Sequence, residues 1–188
     1  MSTLARSIAS SSFRVQRAAK PHVAPFVGPA WYVAAAWLGV AVLAQATVVH
    51  YFAIRDVVPS LVLVVVIWYA VRADAGRAAI YGLVAGFCED ALSAQTGAAW
   101  TIATCLSALL ASRLSRGFFA DSIPLATTII VIATLVRALI FWIVMALTGY
   151  PSGLGTLHFH QAMLQAAFNA AVIVVAMLVA RRFETASR

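Results

Sequence analysis

Glu89 and Asp90 stand side by side in the stretch GFCEDALSAQTG (86–97), directly behind the apolar run AAIYGLVAGFC. A second apolar run carries a lone arginine, Arg137. Carboxylates and a guanidinium in such surroundings can form a bidentate ion pair, bind an ion or small ligand, or relay protons. Gln45, Thr101, Gln165 and Asn169 sit within apolar runs as well and could complete a buried polar network or line a pocket. His50, His158 and His160 are conceivable zinc donors. However, His158 and His160 are two residues apart in an expected loop, and His50 belongs to another segment. Interfacial hydrogen bonding suits them better, and no metal site is expected. Cys88 and Cys105 lie in apolar runs, where cysteine acts as a small hydrophobe. The chain has no nucleophile motif, no His-Glu-x-x-His and no acid cluster spaced for metal-assisted phosphotransfer. The reading is therefore non-enzymatic, with no catalytic residue and no cofactor.

These groups must be positioned by elements that suit a bilayer. The chain is 63% hydrophobic and 10% charged, whereas a soluble domain is about half apolar and about a quarter charged. The expected fold is an all-α integral membrane protein, with six transmembrane helices in one compact bundle. The spans fall at about 30–52, 57–71, 77–92, 97–113, 122–149 and 160–181, within a membrane domain over 29–183. The second is short and needs thinned lipid or help from its neighbours. SAQT is a tight turn between spans 3 and 4. Ala73-Asp74-Ala75-Gly76, Ser115-Arg116-Gly117 and Gly149-Tyr150-Pro151-Ser152-Gly153 are turn-like connections.

The net charge of +7 would suggest nucleic acid in a soluble protein, but here the bases sit at the ends of apolar runs, and no nucleic acid is expected. Arg6, Arg14, Arg17, Lys20, Arg72, Arg77, Arg113, Arg116, Arg181, Arg182 and Arg188 all fall on one side of a six-span arrangement. Only Arg55 falls opposite, and Arg137 lies inside span 5. The positive-inside rule then puts both termini in the cytoplasm. Residues 1–28 form a basic tail whose composition matches a transit peptide or a weak surface helix. It is expected to be a disordered segment near anionic headgroups. Residues 184–188 form a short cytoplasmic C-terminal tail.

Counting residues sets the depth of the polar groups. Asp90 lies 13 residues past Arg77, and Arg137 lies 13 past Pro124, so each is about 20 Å along its helix. Gln45, Thr101 and Asn169 reach a similar level by the same arithmetic. At 100° per residue, Gly82, Gly86, Glu89 and Asp90 fall at about 0°, 40°, −20° and 80°, on one arc. Gly82-x-x-x-Gly86 is a small-residue packing seam. Gln161, Gln165 and Asn169 make a second stripe at i, i+4, i+8. Arg137 is expected to meet Asp90 first, with Glu89 the second choice.

The stretches PSLVLVVVIWYAVR (59–72) and GRAAIYGLVAGFCEDALSAQTGAAW (76–100) resemble the rod-shape-determining MreD family. The resemblance rests on a proline-led second span and on a third span patterned Gly-x-x-x-Gly-x-x-x-Asp with a glycine soon after. Here those residues are Pro59, Gly82, Gly86, Asp90 and Gly97. The chain departs from the pattern at Ser60, where an acid is frequent. The resemblance implies a six-span protein of the bacterial inner membrane, acting as a non-enzymatic scaffold of the cell-elongation machinery that builds lateral peptidoglycan. It implies an MreC-type bitopic partner. Through that partner it implies links to the MreB filament, RodA and a class B penicillin-binding protein, with membrane lipid around the bundle. It also implies a fold similar to the substrate-binding S components of energy-coupling-factor transporters, and small-molecule binding of that kind is the alternative function.

Reporter fusions test the orientation. Fusions at Arg188 and beside Ser152 are expected to give opposite signals, and matching signals would mean a miscounted span, the short second one first.

Overall fold

The structure is a computed structural model that describes residues 29–93, 97–115, 122–149 and 151–186. The basic tail over 1–28, residues 94–96 of the SAQT turn, Arg116, Gly117, Tyr150 and Arg188 lie outside the described residues, as does the side chain of His50. Six α-helices run through the described residues in a compact packing. They are α1 (Trp31–Thr47), α2 (Leu61–Ala70), α3 (Ala75–Ser93), α4 (Ala99–Leu114), α5 (Ile123–Leu147) and α6 (Gly155–Ala186).

The shortest helix is the hub. α2 has 10 residues, LVLVVVIWYA, and is apolar all round. A helix of that kind seeks burial on every side. α2 packs against all five of the others, and Val62, Leu63, Val66, Ile67 and Ala70 are essentially inaccessible. Ten residues rise only about 15 Å, half of a ~30 Å hydrocarbon core. The expected span 57–71 is therefore not helical over its first part. Residues 58–60 enter α2 without helical structure, after a turn in which Ile54 and Val57 exchange backbone hydrogen bonds. The two central residues of that turn, Arg55 and Asp56, have φ of 53° and 62°. Such left-handed φ values match the twist of a tight two-residue hairpin loop.

α1 is shorter than its expected span, which ran on through residue 52. The helix ends at Thr47, and a 3-10 turn covers Val49–Phe52. Only Ala34, Leu38 and Ala41 of α1 are buried, on one stripe, while Trp31, Tyr32, Trp37, Val40 and Leu43 are exposed. α6 is longer than expected. It starts at Gly155, so His158 and His160 lie on a helix and not in a loop. α5 and α6 contain the segments Ile123–Leu147 and Gly155–Val179, each long and apolar enough to cross a membrane. Exposed Ile80, Leu83, Phe87, Leu139, Ile143, Leu178 and their neighbours give the outer faces an apolar surface that lipid would cover.

α3 and α4 form the closest pair, and the two glycines explain why. A Cβ on Gly86 would lie 2.6 Å from the Trp100 carbonyl oxygen and 2.6 Å from the Thr101 Cα. One on Gly82 would lie 2.7 Å from the Ala108 Cβ and 2.8 Å from the Thr104 carbonyl oxygen. At Gly86 the obstacles are backbone, so no side-chain rotation relieves them. Gly86→Ala is expected to destabilise the fold by about 1–3 kcal/mol through overpacking alone. A melting curve in detergent checks it, and an unchanged midpoint would place Gly86 away from α4.

Candidate functional site: a buried polar network

The extended residues 58–60 create the need for polar side chains. Non-helical backbone at membrane depth must find hydrogen-bond partners within the protein. Gln165 of α6 donates to the Val58 carbonyl (3.1 Å). Gln45 of α1 donates to the Pro59 carbonyl (3.2 Å) and accepts from the Leu61 N–H (2.7 Å). Asn169 of α6, fully buried, accepts from the Ser60 N–H (2.8 Å) and donates to the Thr134 hydroxyl (3.1 Å). Thr134 in turn donates to the Ile130 carbonyl. Gln45, Gln165 and Asn169 thus satisfy a break in the helix pattern that neither α2 nor its neighbours could satisfy with backbone alone.

Ser60 joins this cradle to the charges. Its hydroxyl accepts from the Leu63 N–H, capping α2 at a first-turn donor. It also accepts from Arg137 Nη1 (3.1 Å). Arg137 is 3% exposed and uses every nitrogen of its guanidinium: Nη1 to Ser60, Nε to the Thr104 hydroxyl (3.0 Å) and Nη2 to Glu89 Oε1 (2.6 Å). Thr104 then donates to Glu89 Oε2 (3.1 Å). The Trp100 ring closes the arrangement, 4.3 Å from the Arg137 Cζ. This is a cation–π contact made by a guanidinium that is itself buried.

The neighbouring acid has a different task. Asp90 Oδ1 accepts from the Trp100 N–H (3.1 Å), and Oδ2 accepts from the Thr101 N–H (2.8 Å) and hydroxyl (2.6 Å). The residue before α4 is Ala98, which has no capping side chain. Asp90 supplies the cap from α3, placing its negative charge at the positive end of α4. The expectation that Arg137 meets Asp90 first is therefore corrected: its partner is Glu89. The two adjacent side chains diverge by about 100° around α3, and only Glu89 faces α5.

Sequence reasoning missed Ser60, Thr104, Thr134 and Trp100. Ser60 had a readable signal, since a serine just before an apolar helical run is a capping signature. Thr104 lies one turn from Thr101 on the α4 face that meets the glycines. His158 and His160 do not share a site. The His158 ring nitrogen Nε2 is 3.0 Å from the Ala138 carbonyl, and its ring stacks on Phe141 and Trp142, while His160 is exposed. Among the described residues no three His, Cys, Asp or Glu side chains converge on one point. A cavity of about 220 Å³ borders the network, lined by Trp100, Arg137, Phe141, His158, Gln161 and Gln165.

The arrangement can hold a helix register, with Glu89 engaged by Arg137 and Thr104 and Asp90 by the first turn of α4. Glu89→Leu strands a buried guanidinium and is expected to cost about 3–5 kcal/mol, with the Glu89→Leu/Arg137→Leu double variant recovering part of the loss. Asp90→Ala removes a cap, at a cost of about 0.5–2 kcal/mol, and should couple to Arg137→Leu less than Glu89→Leu does, since the two share only Trp100. Melting temperatures of the five variants check both cycles. Additivity for Glu89 with Arg137 would contradict the ion pair.

No curated protein matches this chain, and no solved structure does. One family model matches residues 28–183, that of the rod shape-determining protein MreD. The match covers all six helices but for the last residues of α6, together with the whole polar network, and the chain belongs to the MreD family of membrane proteins that take part in determining rod shape.

Proposed function

We propose that this protein is a non-enzymatic scaffold of the bacterial cell-elongation machinery. On this reading it binds an MreC-type bitopic protein and supports lateral peptidoglycan synthesis through it. The links run onward to the MreB filament, RodA and a class B penicillin-binding protein. The observation that carries the reading is the family match over residues 28–183. The chemistry of the interior agrees with it. Glu89 and Arg137 neutralise each other, Asp90 is spent on the α4 N-terminus, and His158 is directed at a backbone carbonyl. A scaffold needs a fixed arrangement of outward faces, and a buried polar network gives that arrangement its register. We further propose that all six helices cross or enter the inner membrane with both termini cytoplasmic. α2 reaches across with residues 58–60 as its extended half.

A second reading, the substrate-binding component of an energy-coupling-factor transporter, is favoured by the cavity beside Arg137. Its volume weighs against it. About 220 Å³ is below the roughly 300–1,000 Å³ of ordinary small-molecule sites.

Depletion in a rod-shaped host is expected to round the cells, and an MreC-type protein should co-purify from native membranes. Unchanged cell shape together with a vitamin-uptake defect would favour the transporter.

A further inference from the structure

The cavity beside Arg137 reaches from the interior to the surface. Arg137, which lines it, is 3% exposed, while Asp56, which also lines it, is exposed on the turn between α1 and α2. α5 and α6 form its long walls, with Ala138, Phe141 and Ala162 as apolar lining. Its volume of about 220 Å³ has room for about seven waters at ~30 Å³ each. That is too little for a drug-sized ligand and enough for a single ring with a short substituent.

The polar groups of this lining are not all used. A guanidinium has five N–H donors. Ser60, Thr104 and Glu89 take three of those on Arg137. The other two, one on Nη1 and one on Nη2, have no acceptor among the described residues. A buried donor without an acceptor is costly, so this end of the cavity calls for one. Gln165 spends one N–H on the Val58 carbonyl, and its Oε1 accepts from no described residue. Gln161, half-buried one turn earlier on α6, bonds to no described residue. The cavity thus offers donors at its buried end and two side-chain amides along its α6 wall.

Charge decides what those donors take. The Arg137 charge is already balanced by Glu89 at 2.6 Å. An anion on Arg137 would crowd Glu89, and it would pass the Asp56 carboxylate on its way in. An amidinium-type cation would bring only donors to the donors of Arg137. An uncharged carbonyl oxygen has two lone pairs for the two N–H groups and no charge to be repelled. Where that carbonyl belongs to a carboxamide, its N–H groups can meet the Gln165 oxygen and Gln161. We propose that the cavity between α5 and α6 binds a small uncharged carboxamide. Its carbonyl sits on Arg137, its N–H groups on Gln165 and Gln161, and its apolar body against Phe141 and Ala162. Such binding is independent of the shape-determining role and involves no transport.

The test is a fluorine NMR titration of the full chain in detergent, with partition into empty micelles subtracted. The probes are para-fluorobenzamide, para-fluorobenzoate and para-fluorobenzamidine, which share one shape and differ in charge. The amide is expected to bind about tenfold or more tightly than either ion, the factor that one mispaired buried polar group makes. Ala162 is buried and its methyl group offers no polar atom. Ala162→Leu fills the cavity there and should weaken the amide by about tenfold or more. Ala162→Val adds less bulk, should act in the same direction, and decides the matter if the leucine variant fails to fold. Equal binding of the probes, tighter binding of either ion, or no binding of the amide would overturn the proposal. Undiminished amide binding in a folded, filled variant would overturn it as well, by placing the probe elsewhere on the bundle.

Discussion

Residues 58–60 have to cross apolar surroundings without a helix, and the rest of the bundle is arranged around that constraint. A helix satisfies its own backbone; three partly buried residues outside a helix do not. The donors and acceptors of this segment are met by Gln45 from α1 and by Gln165 and Asn169 from α6. These helices must therefore keep their rotation and depth relative to α2. Arg137 from α5 reaches the same segment through the Ser60 hydroxyl, and Thr104 and Glu89 bring α4 and α3 into the network. Each helix of the bundle contributes at least one polar group tied, directly or through one neighbour, to the start of α2.

Both ends of α2 are treated alike. At its far end the Ser112 hydroxyl donates to the Ala73 carbonyl (2.8 Å), and Arg72 takes the Trp68 carbonyl. A ten-residue helix can be the hub because side chains from its neighbours finish what its own hydrogen bonds leave open. The Gly82–Gly86 seam serves the same end. By letting α4 approach α3 to backbone contact, it brings Thr101 within reach of Asp90 and Thr104 within reach of Glu89. A methyl group there would separate the donors from both carboxylates, so packing and polar satisfaction are coupled at Gly86.

The six helices of the described residues were legible in the sequence because apolar runs and turn residues mark them strongly. The inward direction of Glu89 and the glycines was legible because a 100° step per residue leaves little freedom. What escaped was the geometry of exits from the helical pattern. PSLVLVVV reads as one continuous apolar span, since hydropathy does not distinguish extended from helical residues. Only the Pro59-Ser60 pair hints at a cap. The choice between Glu89 and Asp90 escaped for a related reason. Depth arithmetic places both at one level, but the first turn of α4 lacks a capping side chain of its own and claims Asp90. That claim follows from where α4 begins, two residues later than the expected span, which hydropathy does not resolve. His158 was misplaced because Pro151 and the glycines around it suggested a longer loop than the one that forms.

The ion pair itself contributes little to net stability, since desolvating two charges offsets most of their attraction. Its consequence is specificity: a slip of α5 or α3 by one residue would strand Arg137 in an apolar setting at a cost of several kcal/mol. Ser60 offers this guanidinium a neutral hydroxyl from α2, and Glu89 supplies the charge from α3. An interior pinned this way leaves the outer faces of the bundle as the surfaces that its surroundings meet.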